Sequence, residues 1–158
     1  MDDEELEYEM LEYFDDEYQE YWRNEINRGD WEGCQRLHDL LESNKLKELC
    51  GQNTKLFLMA DGESILSMCM LSEKHNDELN ENDFSPWIGY VFTFPSSRGK
   101  GCAKTVIEYA CRQAKADGAK QIHVLSELNC FYEKLGFEAV KTVLTIQGKN
   151  KTVYKKDL

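Results

Sequence analysis

Residues 98–103 read RGKGCA. Before them stands VFT (91–93), a strand-forming run, and after them VIEYACRQAKADG (106–118), a helix-forming one. The first turn of a helix has backbone N–H groups without partners and a partial positive charge. Gly99 and Gly101 let such a turn bend sharply and approach a ligand closely. Arg98, Lys100 and Lys104 surround it with positive charge. Together these make an anion site suited to phosphate or pyrophosphate. The same residues also describe a tight turn with solvated basic side chains, and the elbow alone does not separate the two readings. It is neither a P-loop, whose G-x-x-x-x-G-K-[ST] spacing is absent, nor a G-x-G-x-x-G dinucleotide fingerprint.

Other chemistry is thin. Six cysteines (Cys34, Cys50, Cys69, Cys102, Cys111, Cys130) contain no C-x-x-C pair, which argues against zinc-ribbon and redox motifs. Cys34 and His38 lie one helical turn apart, but two ligands do not make a zinc site. The cysteines are expected to be reduced thiols, most of them in the core, and no metal is expected.

The elements that must carry the elbow follow from periodicity. The chain of 158 residues fits one domain. LEYFDDEYQEYW places Leu11, Phe14, Tyr18 and Tyr21 or Trp22 at three- and four-residue steps, predicting one acidic helix. NRGD (27–30) breaks it, and Asp30 is the expected N-cap of a second helix bearing Trp31, Cys34, Leu37 and Leu40 or Leu41. This gives an acidic helical portion over 1–50. From 53 to 158 the pattern changes. KLFLMA, a DG turn and SILSMCMLS read as a hairpin; EKHNDELNENDFS is a polar loop; PWIGYVFTF is a buried strand. A helix over about 101–116 follows, closed by Gly118. QIHVLS is a strand, NCFYEKLGF a short helix stopped by Gly136, and 137–156 a closing hairpin. The layout is α/β: a mixed, mostly antiparallel central sheet with one parallel pair across the 86–126 crossover.

Charge is concentrated. Residues 1–25 hold twelve acidic side chains and one basic, Arg23, which accounts for the whole net charge of −11. An acidic start is neither a secretory signal nor a transit peptide. No apolar run approaches the roughly 18 residues of a membrane span. A cytoplasmic protein with no membrane partner is expected, and nucleic acid is disfavoured for want of a basic footprint.

RGKGCA, preceded by VFTFP, resembles the Q/R-x-x-G-x-G/A motif of the GNAT superfamily of acetyl-CoA-dependent N-acetyltransferases. FYEKLGF (131–137) is similar to the signature at that family's last helix, in the right order and at the right spacing. The resemblance covers roughly residues 53–145. It implies a GNAT-like sheet with helices on both faces and an N-terminal helical pair.

The resemblance implies that acetyl-CoA binds as cosubstrate, with its pyrophosphate on Arg98, Gly99, Lys100, Gly101, Cys102, Ala103 and Lys104. The backbone of Val91, Phe92 and Thr93 would pair with the pantetheine arm and polarise the thioester, as preset dipoles do. Tyr132 matches the tyrosine that protonates the leaving thiolate. Many relatives carry an asparagine seven residues before it; Leu125 stands there, so that contact is missing or has moved, and Asn129 is a candidate replacement. The implied reaction is direct attack by a neutral amine, which needs a proton acceptor because alkyl amines are protonated at neutral pH. Glu73, His75, Asp83 and Glu127 are candidates, Glu73 first because it ends the strand beside the elbow strand. His123 reads as a core histidine. Among Phe84, Trp87, Tyr90 and Phe92, one or two are expected to line an acceptor pocket.

In the resembled fold the first two helices rim the acceptor site, so the acidic segment points to a small cationic amine such as a polyamine, an aminoglycoside or a basic peptide end. Two other classes stay open. One is a non-catalytic acyl-CoA-binding module of the same fold. The other is an interaction protein whose acidic, tyrosine-rich helix docks a basic partner with strong salt dependence. The closing hairpin and the N-terminal helices are both candidate homodimer surfaces.

Overall fold

A computed structural model describes residues 7–75, 84–128 and 130–158. Its elements are β1 (Glu9–Glu12), α1 (Gln19–Asn27), α2 (Glu32–Glu42), α3 (Leu46–Cys50), β2 (Lys55–Asp61), β3 (Ser64–Ser72), β4 (Trp87–Thr93), α4 (Cys102–Ala116), β5 (Gln121–Ser126), β6 (Glu138–Leu144) and β7 (Asn150–Asp157). All seven strands form one sheet in the order β1-β2-β3-β4-β5-β7-β6. Every pairing is antiparallel except β4–β5.

Alternation along β2 and β3 explains the two layers. Leu56, Leu58, Ala60, Met68 and Met70 face one side and pack with Trp22, Ile26, Leu37 and Leu41 of α1 and α2. Phe57, Cys69 and Leu71 face the other and pack with Val106, Ile107, Ala110 and Ala114 of α4. Each fully buried aliphatic side chain here contributes roughly 1.5–3 kcal/mol. Five cysteines are buried and Cys130 is exposed, all as free thiols.

The N-terminus corrects the expectation of a helix through Leu11 and Phe14. Glu9–Glu12 is a strand, with Met10 opposite Met59. Met10 and Leu11 pack on opposite layers, the two-residue alternation of a strand. A single 3-10 turn (Tyr13–Asp15) follows, and α1 begins only at Gln19. Tyr13 is buried, whereas Tyr18 and Tyr21 are exposed, so the apparent stripe is no one helix face. The Glu12 carboxylate supports the change of direction, accepting from the N–H groups of Phe14 (3.0 Å) and Leu56 (3.1 Å). Two further corrections are local. The N-cap of α2 is Trp31, with no side-chain cap, and Asp30 is used elsewhere. The helix expected in NCFYEKLGF is one 3-10 turn, Glu133–Leu135, ended by Gly136 at φ 92°.

β4 departs from regularity where it matters. Gly89 lies opposite Met70 and Phe92 opposite Met68, so β4 carries one residue more than β3. That is a β-bulge. Tyr90 takes the strain at φ 48°. The bulge switches the faces: Ile88 packs with α4, but Tyr90 and Phe92 pack with α1 and α2. Three residues of equal parity would otherwise share one face. Pairing of β4 with β5 stops after Trp87–His123 and Ile88–Val124. Beyond that point the sheet opens.

Candidate functional site

The opening holds a cavity of about 820 Å³. Ile88 to Val91 of β4 and Val124 to Leu128 at the end of β5 line it. Trp31 at the N-cap of α2, with Arg36 and Asp39 from the helix, supplies one wall, and Gln147 and Lys149 supply another from the β6–β7 turn. Tyr132 borders it as well. Further along β4, from Thr93 to the elbow, lies a second hollow of about 270 Å³.

The elbow is built as its sequence requires. Gly99 and Gly101 both have φ 78°. No atom lies within 4 Å of a Cβ placed on either, so glycine is needed for conformation, and the space beside it is open. Gly101 is the N-cap of α4 and provides no side-chain cap. The N–H of Thr105 already bonds to Gly101. The N–H groups of Cys102, Ala103 and Lys104 are therefore the unpaired first-turn donors. All three residues line the smaller hollow with Ser97 and Phe131. Lys100 and Lys104 are exposed.

Arg98 is committed differently from its neighbours. Its guanidinium donates to both carboxylate oxygens of Asp30, at 2.6 and 3.2 Å, and its Nε donates to the Thr93 carbonyl at 3.0 Å. It also lies 5.5 Å from the centre of the Phe92 ring. The arginine's hydrogen bonds lower the Asp30 carboxyl from its ordinary value. Cys102 is buried, and burial pushes its thiol up, which leaves it a packing residue.

Tyr132 is buried, its ring against Phe131, Phe137 and Tyr154 at 4.9, 5.6 and 5.9 Å. Its carbonyl accepts from Leu135 and Phe137, which closes the turn around it. Burial pushes its phenol above the ordinary tyrosine value. Val91 lines the cavity, while Phe92 is buried toward α2. The carbonyls of Phe92 and Thr93 are already engaged, by the Ser67 hydroxyl (3.0 Å) and by Arg98.

The candidate bases separate. Glu73 does not line the cavity; its carboxylate accepts from the Asn53 N–H at 3.0 Å. Glu127 and His75 do line it. Asp83 and Asn129 lie outside the described residues. His123 is buried, with its Nδ1–H donating to the Pro86 carbonyl at 3.2 Å. Tyr90 lines the cavity, but Trp87 is packed with Val143 and Val153 in a small core of its own. No described residue of the acidic segment 1–25 borders the cavity; its lining begins at Trp31. Among the described residues, no group of three His, Cys, Asp or Glu is placed to hold a metal ion, and no helix is long and apolar enough to cross a membrane.

Sequence reasoning missed Trp31, Arg36, Asp39 and Lys149. Trp31 read as part of a buried helix face, and Lys149 lay unremarked in the closing hairpin. Only the bulge and the open sheet bring them together.

Residues 52–139 match the acetyltransferase (GNAT) domain family. The chain belongs to that family. Comparison with curated proteins found no match. Solved structures share the fold. Aminoglycoside 6'-acetyltransferase type Ii superposes with a TM-score of 0.69 at 12% identity, over 94% of this chain and 96% of that one. A protein of Desulfovibrio desulfuricans described as a GNAT acetyltransferase gives 0.68 at 10% identity, over 96% and 99%. One described as a streptothricin acetyltransferase, from Bacillus anthracis and holding acetyl coenzyme A, gives 0.54 at 17% identity, over 67% and 63%.

Proposed function

We propose that this chain, acting as one domain, transfers the acetyl group of acetyl-CoA to a primary amine of a small acceptor. The observation that carries the reading is a succession of two hollows along β4. It runs from three unpaired helix N–H groups beside an open hollow, past Thr93, to the cavity bordered by Val91 and Tyr132. The elbow fits a pyrophosphate: donors converge, two glycines hold the turn, and Lys100 and Lys104 add charge. Bound there, acetyl-CoA supplies the activated acyl group.

The residues of the chain divide the proton work. As the nitrogen–carbon bond forms and the carbon–sulfur bond breaks, Glu127 takes the proton from the amine, directly or through water. Tyr132 gives its phenolic proton to the sulfur. Burial raises the phenol above its ordinary value, so it enters the reaction protonated.

The acceptor cavity carries both charge signs. Glu32, Asp39 and Glu127 favour a positively charged amine, while Arg36, Lys149 and Lys151 give an anionic group on the same molecule a place. Among the described residues, the groups placed for acceptor recognition therefore come from α2 and the β6–β7 region rather than from the acidic N-terminal segment.

Calorimetry with acetyl-CoA tests the reading on the wild type and on Gly101→Asp, which sets a carboxylate where the pyrophosphate would lie. Micromolar binding lost in the variant supports the assignment. A wild type that binds nothing ends it, and the elbow is then only a turn.

A further inference from the structure

We propose that Asp30 is a positioning residue that couples the elbow to the acceptor wall, through Arg98 on one side and Trp31 on the other. The proposal rests on the elbow being the acetyl-CoA site. Three successive residues of the α1–α2 turn are fitted to the end of β4. A Cβ on Gly29 would come within 3.0 Å of the Phe92 ring and 2.3 Å of the Cys34 sulfur, so the backbone there is seated directly on both. Asp30 grips the guanidinium of Arg98 with two hydrogen bonds. Trp31 stacks on Phe92, with ring centres 5.8 Å apart at 19°, and approaches Tyr90 at 6.2 Å.

The two ends of this joint face different ligands. Arg98 immediately precedes Gly99 and borders the smaller hollow. Trp31 borders the larger cavity and is 39% exposed. Phe92 lies between them, touched by both partners. A pyrophosphate on the elbow competes with Asp30 for the guanidinium, because both are anions seeking the same forked donor. The ion pair is half-exposed on each side, and such surface pairs add little to stability. Its consequence is therefore in coupling. Donor binding loosens the Asp30 grip and shifts Trp31. By reciprocity, a ligand that holds Trp31 alters the affinity for acetyl-CoA by the same factor.

Tryptophan emission reads this without knowing the acceptor. Of the three tryptophans, Trp22 and Trp87 are buried, so Trp31 dominates any change at the surface. Acetyl-CoA is titrated into the wild type, Trp31→Phe, Asp30→Asn and Asp30→Glu, with binding followed in parallel by calorimetry. Wild-type emission should change on saturation, and Trp31→Phe should abolish the change. Asp30→Asn should lose it while still binding, with an affinity shifted by about five-fold, the low end of coupling between sites. Asp30→Glu, which keeps the charge, should restore part of it. Binding without an emission change in the wild type overturns the coupling and leaves the acetyl-CoA assignment standing. An unaltered change in Asp30→Asn overturns it too. Absence of any acetyl-CoA binding removes both.

Discussion

The carboxylate of Glu73 accepts a hydrogen bond from the backbone N–H of Asn53 at 3.0 Å. The bond ties the end of β3 to the turn before β2, outside the cavity, whereas Glu127 borders it. The two acids should therefore separate in a steady-state assay of thiol release. Glu127→Gln should lower kcat by roughly 10²-fold or more, the usual contribution of a general base. Glu73→Gln, whose amide oxygen can still accept from Asn53, should leave kcat within about two-fold, a change well below any general-base contribution. Equal losses from both would remove Glu127 from the proton path.

Tyr132→Phe removes only the phenolic oxygen from a ring held by Phe131, Phe137 and Tyr154. Fold and acetyl-CoA affinity should be kept, and kcat should fall by roughly 10²-fold. Burial raises the phenol above its ordinary value, so the acid stays protonated through pH 10. The wild-type rate should accordingly show no alkaline fall from this group up to that pH. A fall that vanishes in Tyr132→Phe would contradict the buried phenol.

His123 gives a pH dependence of stability. Burial holds its imidazole below the ordinary histidine value, and Lys155 adds to the effect. Near neutrality the unfolded chain then binds the proton more readily than the folded one. The contribution is fully present above the unfolded value, about 6.5, and is lost as pH falls through the depressed folded value. Thermal melts between pH 7.5 and 5 should show a declining midpoint. His123→Phe should flatten the decline, because a phenyl ring suits the Phe84 and Trp87 surroundings and the Pro86 carbonyl keeps the His123 backbone N–H as donor. An unchanged slope would assign the pH dependence elsewhere.

Two glycines should respond in different ways. Gly101 adjoins open space, so Gly101→Ala carries only the left-handed strain, about 1–2 kcal/mol, and should lower the melting midpoint by a few degrees. In Gly33→Ala the new methyl group would sit 2.4 Å from the Trp31 ring. Trp31 must move, so acceptor KM should rise more than acetyl-CoA KM. An unchanged acceptor KM would mean that Trp31 serves no acceptor.

The elbow was legible in the sequence because it is local chemistry: two glycines at a fixed interval, basic neighbours, strand before and helix after. In Phe131–Phe137 the stop at Gly136 was legible for the same reason, but the expected helix is only a 3-10 turn. The bulge at Tyr90 was not. PWIGYVFTF reads as an unbroken strand, and only pairing with β3 reveals the extra residue. Since the bulge decides which residues see the cavity, the acceptor wall was hidden with it. Strand β1 was hidden differently: four residues are too few for alternation to outweigh apolar positions that also fit a helical spacing. Asp30 fits the N-cap rule by type and place, yet a long-range arginine claimed it.

The place of β1 at the outer margin of the sheet has a consequence for assembly. An open strand invites another chain to extend the sheet. Here charge opposes the invitation: Glu9 lies exposed on the strand, and Asp15, Asp16 and Glu17 follow directly. Two such margins brought together would set like charges face to face. At the opposite margin, β6 exposes Val140 and Leu144, with Ile146 just beyond. The two margins thus differ in character among the described residues: acidic side chains lie along one and exposed apolar side chains along the other.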